Sequence, residues 1–272
     1  MTPKEVASNS FAFPAHTGWY FTEKTYHDAA PSKIDPAHTR LPPKTTVCIT
    51  GGGRGLGESM ALAFAKAGAG GIVICARSTH ELDEVALKIS VIDNSIKVSV
   101  VTCDVTDEES VKSLAKTIEK DHGRLDALIN NAGHLDAGWQ PITEGPTDDW
   151  KRVFDVNVFG VYLVTRNLLP LLLASEKGLK TVLGITSMSA HWAGYSIAMG
   201  MSKLALNRFM EFLAGQYAAQ GLLAYSVFPG GVPTKMSQDP DKVPKELQHS
   251  ESICPSILHT TILTLKSVFR FT

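Results

Sequence analysis

The segment TGGGRGLG, Thr50 to Gly57, ends a short β-branched apolar run, TTVCIT (45–50), and opens the stretch GLGESMALAFAKAG (55–68). In that stretch Leu56, Met60, Ala63, Phe64 and Ala67 recur at helical spacing, and Gly68 is a stop signal. Glycines clustered at a strand-to-helix junction let the backbone turn tightly and approach a ligand closely. The helix start adds free N–H groups and a positive dipole end, which suit a pyrophosphate. The candidate cradle residues are Gly51, Arg54, Gly55, Leu56 and Gly57. Their spacing is TGxxxGxG rather than the commoner GxGxxG.

The rest of the chain repeats the same alternation. GIVICAR (71–77), KVSVVTC (97–103), LDALIN (125–130), KTVLGITS (180–187) and LLAYSVFP (222–229) read as strands. Helical patterns lie between them, at ELDEVALKIS (81–90), TDEESVKSLAKTIEKDHG (106–123), 149–175 and 199–221. Thr106 with Glu109 three residues on has the form of a capping box. Alternating strands and helices imply a parallel sheet covered on both faces. Right-handed crossovers then give an α/β doubly wound parallel sheet, a three-layer αβα Rossmann fold, here with its last strand unassigned. Residues 1–44, rich in Pro, His, Thr and Ala without a clear period, are expected to form an arm. Residues 45–272 are expected to form one dinucleotide-binding domain.

Composition excludes several classes. A net charge of −1 with 19% charged residues gives no electrostatic reason for a nucleic-acid or anionic-membrane partner. None of the four cysteines belongs to a CxxC pair, and three lie in apolar β-rich runs, as core residues in a reducing compartment do. The first twenty residues hold no continuous apolar core of a secretory signal. The most apolar run, VYLVTRNLLPLLLA, is too short to span a bilayer and contains Arg166 and Pro170. A cytoplasmic location is the default expectation.

Several motifs in order carry a resemblance to a known family: TGGGRGLG, then CDV (103–105), NNAG (130–133), VNVFG (156–160) and PGGVPT (229–234). Over residues 45 to about 235 the chain resembles the short-chain dehydrogenases/reductases, and its wording looks most like reductases of fungal secondary metabolism. The resemblance implies that Asp104 and Val105 meet an adenine. It also implies that Asn131, Ala132 and Gly133 line a ribose, and that Val232 and Thr234 hold the nicotinamide end. Charge argues for the dinucleotide type. An NAD enzyme usually carries a carboxylate near the end of the second strand, whereas this chain has Arg77 there and Arg54 inside the glycine loop. Two guanidiniums suit a 2′-phosphate, so the expected cofactor is NADP(H).

Family machinery for carbonyl reduction comprises a Tyr acid, a Lys one helical turn later, a Ser on the preceding strand and an Asn in the long helix. By resemblance Lys203 matches the Lys and Asn157 the Asn. Ser187 best matches the Ser, although Thr186 would restore the family's spacing. The Tyr position is Met199, which has no ionisable proton. Three readings follow. In one, Tyr195 or His191 supplies the proton; in another, water or the substrate does, as an already protonated iminium would. In the third, the fold binds cofactor without redox turnover. The resemblance further implies a hydrophobic small-molecule substrate covered by residues 235 to about 250. It also implies a homodimer or homotetramer built on the helices near 150–174 and 200–218. From about residue 250 the sequence departs from the family ending, so an altered or truncated C-terminus is expected.

Overall fold

In a computed structural model, the described residues are 40–136, 141–175, 178–191, 196–229, 234 and 236. Six strands form one parallel sheet in the order β3-β2-β1-β4-β5-β6. They are β1 (Thr46–Thr50), β2 (Gly71–Ala76), β3 (Lys97–Thr102), β4 (Ala127–Asn130), β5 (Thr181–Ile185) and β6 (Leu223–Val227). The helices are α1 (Gly55–Lys66), α2 (Thr79–Ile92), α3 (Glu108–His122), α4 (Thr147–Phe154), α5 (Val161–Ala174) and α6 (Ile197–Tyr217). The doubly wound α/β fold expected from the alternation is the one observed.

Period-two alternation sorts each central strand into two cores. Cys48, Val73, Leu128 and Val182 face α3, α5 and α6, whose buried contributions include Leu114, Leu168 and Leu206. Val47, Ile49, Ile72, Ile74 and Ile129 face α1 and α2 through Met60, Phe64, Leu82 and Ile89. Every residue of β1, β4 and β5 is buried, which explains why these strands read as continuous apolar runs. Among the described residues β6 is an edge, and only Val227 of it is fully buried.

Two local features differ from the sequence pattern. The α3 cap is Asp107, whose carboxylate accepts from the Ser110 N–H at 2.9 Å, not Thr106 with Glu109. Thr106 is drawn away because both its N–H and its hydroxyl donate to Asp104 Oδ1. A side-chain turn there shifts the helix start by one residue. The long helix is also not uniform: residues Asp155–Gly160, between α4 and α5, form a π-helical turn. The stretch Thr147–Ala174 is long and apolar enough to cross a membrane by length and composition. Its apolar residues Val161, Leu163, Val164, Leu168 and Leu172 are instead buried against the sheet.

The arm lies outside the described residues up to residue 39. Its last residues lie against the end of α1, where Leu41 N–H donates to Ala67 O at 2.9 Å and Arg40 Nη1 to Lys66 O at 2.9 Å. The segment expected to cover the substrate also lies outside them, apart from Met236, as does the whole tail from 250.

At the sheet's opposite end, a buried carboxylate ties β1 to β4. Asp126 Oδ2 accepts from Thr46 N–H at 2.7 Å and Arg124 Nε at 2.9 Å, and Oδ1 accepts from Arg124 Nη2 at 2.6 Å. Its side chain is 1% exposed. Asp126→Ala strands a backbone N–H and removes both Arg124 bonds, so a loss of about 2–3 kcal/mol is expected in urea unfolding. A loss below about 0.5 kcal/mol would show that the tie contributes little.

Candidate active site

The crevice opens where β1 and β4, neighbours in the sheet, send their connections to opposite faces. The Thr50 hydroxyl organises that point. It donates to Ile129 O at 3.3 Å and accepts from the N–H groups of Asn131 and Ala132, each at 3.0 Å. Asn131 Nδ2 returns to Thr50 O at 2.8 Å and Gly51 O at 3.1 Å. The glycine loop and the NNAG loop are thereby fixed against each other.

Gly51 has φ +64°, a conformation that side chains disfavour. A Cβ on Gly57 would sit 2.1 Å from Gly51 O, so the first turn of α1 packs directly on the loop backbone. The start of α1, with Arg54 as its extended N-cap, therefore points its free N–H groups into the crevice beside Gly55 and the partly buried Leu56. Thr234 lies over this loop, its methyl 3.3 Å from where a Gly55 Cβ would be.

Arg77 is exposed at the end of β2. Asp104, just past β3, has its carboxyl held below the usual range. Although burial opposes this, the two Thr106 hydrogen bonds prevail, with the Arg77 and Arg152 guanidiniums adding to them. Val105 packs beneath it, and a Cβ on Gly160 would be 2.8 Å from Val105 Cγ2. Arg54 is held by Glu81 at 2.9 Å on the first turn of α2. Of the two guanidiniums of the expected clamp, Arg54 is paired with Glu81, while Arg77 is near enough to Asp104 to act on its charge.

Lys203, Asn157 and Gly133 come together at the inner end. A Gly133 Cβ would lie 3.9 Å from Lys203 Nζ and 3.5 Å from Asn157 Oδ1. Lys203 is 5% exposed and donates to Ile185 O at 2.7 Å. Burial lowers its pKa to about 8. Asn157 is fully buried because the π-helical turn swings it inward. Its Oδ1 accepts from His134 N–H at 2.8 Å. Its Nδ2 is shared among His134 O (3.0 Å), Ser202 Oγ (3.1 Å) and Met199 Sδ (3.6 Å).

Met199 therefore stands beside the Asn and Lys on the first turn of α6. Ser187 caps a short 3₁₀ turn, Met188–Ala190, by accepting from Ser189 N–H at 3.2 Å. Thr186 is buried, with its hydroxyl toward Lys203 O at 3.4 Å. Ser187 is thus the more accessible of the two candidates. His191 is exposed, with Nε2 3.3 Å from Asn207 Nδ2. Tyr195 and Val232 lie outside the described residues.

Two pairs escaped the sequence reading. His134 Nε2 is 2.8 Å from Asp149 Oδ1, which anchors the NNAG loop to α4. Ser196 caps α6 by accepting from Met199 N–H at 3.1 Å and donates to Asp136 Oδ2 at 2.6 Å. Ser196 was findable as a cap just before an apolar helix. Nothing in the sequence marks the two loop-to-helix partnerships.

A family profile described as short chain dehydrogenase matches residues 45–244. The short chain dehydrogenase pgmD of Aspergillus terreus is 35% identical over 257 residues, covering 90% of this chain and 82% of that protein. A short-chain type dehydrogenase/reductase from Mycobacterium ulcerans has the same fold, with TM-score 0.73, 22% identity, and 85% and 86% of the two chains covered. A 3-ketoacyl-(acyl-carrier-protein) reductase from Brucella melitensis, solved with NADH, superposes with TM-score 0.61 at 28% identity over 69% of this chain and 76% of its own.

Lys203 has a titration consequence in the ligand-free protein. Its folded pKa, lowered by burial to about 8, lies below the ordinary lysine value of 10.5. The charged amine therefore costs stability fully below pH 8, and the cost disappears as pH rises toward about 10.5. Relative to the parent, Lys203→Met is expected to be more stable at pH 7 than at pH 10. A difference between the two proteins that stays constant across that range in urea unfolding would contradict it.

Proposed function

The chain belongs to the short-chain dehydrogenase family, and from that premise we propose that it is an NADP(H)-dependent reductase of a carbonyl or imine on a medium-sized hydrophobic metabolite. The observation that carries this reading is the buried Lys203 amine beside Gly133 and Asn157, at the inner end of a glycine cradle with a free helix start. Similarity to fungal short chain dehydrogenases such as the Aspergillus terreus protein supports the reductase part of this reading, and a role in secondary metabolism belongs to the proposal.

The residues present fit a nicotinamide dinucleotide. Gly51 and Gly57 let the loop close tightly against its own backbone and the NNAG segment, and the α1 N-terminus supplies donors for phosphates. Asn131 to Gly133 and Lys203 would hold the nicotinamide ribose, with Thr234 over the loop near the nicotinamide end. Once bound, the cofactor supplies the hydride. The chain's own share is positional and electrostatic. Asn157 fixes the backbone of His134, Ser187 orients the substrate's polar atom, and the Lys203 ammonium favours developing negative charge nearby.

NADP(H) is preferred to NAD(H) in this reading because β2 ends on exposed Arg77 rather than a carboxylate. The NADH in the Brucella melitensis structure belongs to that protein. Assembly as a homodimer or homotetramer is part of the proposal. It is supported by exposed Phe159 in the π-helical turn, exposed Tyr162 at the start of α5, and exposed Met201, Leu204 and Phe212 on α6. A cytoplasmic location and a small-molecule partner, with no nucleic acid, complete it.

Met199 favours a second reading, a cofactor-binding protein without redox turnover, because its thioether has no proton to give. Two expected outcomes separate these. Arg77→Ala should weaken NADPH by about tenfold or more with little change for NADH, as loss of a charge-assisted contact implies. Equal weakening of both in fluorescence titration would refute the 2′-phosphate contact. Met199→Tyr should raise NADPH oxidation with a ketone panel, by up to the ~10²–10⁴ that a positioned acid contributes. Tight NADPH binding with no turnover by parent or variant would select the second reading.

A further inference from the structure

Asp136 lies three residues beyond Gly133, on the loop that carries the inner wall of the crevice, and reaches the first turn of α6. Its Oδ2 accepts the Ser196 hydroxyl at 2.6 Å, and that hydroxyl in turn accepts from the Met199 N–H at 3.1 Å. Its Oδ1 is buried and, among the described residues, has no hydrogen-bond partner. Among the described residues, no Lys, Arg or His side chain pairs with it. The buried cation of the site, Lys203, donates to Ile185 O. The positive end of α6 offsets part of the charge, by a fraction of what a full partner supplies. A buried acceptor left unmatched signals a missing partner.

Met199 is the second, independent observation. Its sulfur lies at Asn157 Nδ2, one helical turn before Lys203, where the family resemblance implies a proton donor for carbonyl reduction. We propose that the substrate is a cationic iminium, drawn into the crevice by the Asp136 carboxylate beside Met199. The inference rests on the reductase reading above and narrows its substrate class.

The two observations then share one explanation. Hydride from the reduced nicotinamide adds to the iminium carbon and forms the C–H bond. The π pair of the C=N bond becomes the nitrogen lone pair, and the products are a neutral amine and the oxidised nicotinamide. No proton enters, so an acid at position 199 is not required. The apolar thioether presents the cation with no competing hydroxyl donor beside the Asp136 carboxylate, while the Lys203 ammonium is turned to Ile185 O. A carbonyl substrate gains nothing from a nearby carboxylate, which opposes the negative charge developing on its oxygen.

The test compares N-methyl-3,4-dihydroisoquinolinium, a permanently charged iminium, with 1-tetralone, a neutral ketone of similar shape, by NADPH oxidation. Turnover of the iminium and not of the ketone is expected. Asp136→Asn keeps an acceptor for Ser196 and should lower kcat/KM for the iminium by about 10–100-fold, the range for losing a charged partner. Asp136→Glu should retain most of the activity, and both variants should keep NADPH affinity and thermal midpoint. Comparable turnover of the ketone, or an Asp136→Asn variant with unchanged kcat/KM for the iminium, overturns the iminium assignment while leaving the reductase reading in place. Failure of both substrates with NADPH still bound overturns both.

Discussion

The site depends first on one hydroxyl. Thr50 joins β1 to the segment leaving β4 with three hydrogen bonds, and Asn131 doubles the connection from the other side. These are the two strands between which the chain reverses its direction of winding, so the sheet itself gives no cover there. Without a lateral tie, the glycine loop and the NNAG loop would be independent of one another. With it, the free N–H groups of α1 and the wall carrying Gly133 hold a fixed separation. Asp126 does the equivalent work at the other end of the same strand pair, where no ligand is needed and the carboxylate is shut in by Arg124.

A second hub, Asn157, carries that order into the catalytic end. Its amide meets both the N–H and the C=O of His134 while also reaching Ser202 and the Met199 sulfur. Such a bridge requires the side chain to leave the regular helical face, which the π-helical turn provides at the cost of poorer local hydrogen bonding. A thioether is a weak acceptor, so its contact with Asn157 adds little energy. What Met199 contributes is volume without a proton.

The fold was legible because its evidence is periodic. Runs such as GIVICA and ALIN can only be central strands of a doubly covered sheet, and the glycine loop sits where a strand meets a helix. Lys203 and Asn157 were legible from motif order, and the structure brings them within reach of the same glycine. What the sequence hid is competition between local partners. Thr106 looked like a helix cap, yet Asp104, two residues earlier, captures its hydroxyl. Arg54 reads as half of a phosphate clamp, and its pairing with Glu81, far along the chain, is not visible in the sequence. Asp136 and Ser196 are sixty positions apart, and no pattern rule links a loop carboxylate to a distant cap.

The buried amine bears on whether the site is at work. Lys203 is desolvated enough to lose much of its basicity, and Ile185 O is the partner that holds it. An apolar residue of similar length would fill the same space without that penalty. Strongly perturbed groups in a crevice are candidates for function for this reason. Among the described residues, the unmatched oxygen of Asp136 is a second such cost, on the loop that carries Gly133. Holding a nicotinamide ribose already gives the Lys203 cation a use, whereas an unmatched anion beyond the cradle has none in binding a dinucleotide. A reductase handling charge at its reacting atom has a use for both, since each becomes favourable only when a ligand of the right charge is in place.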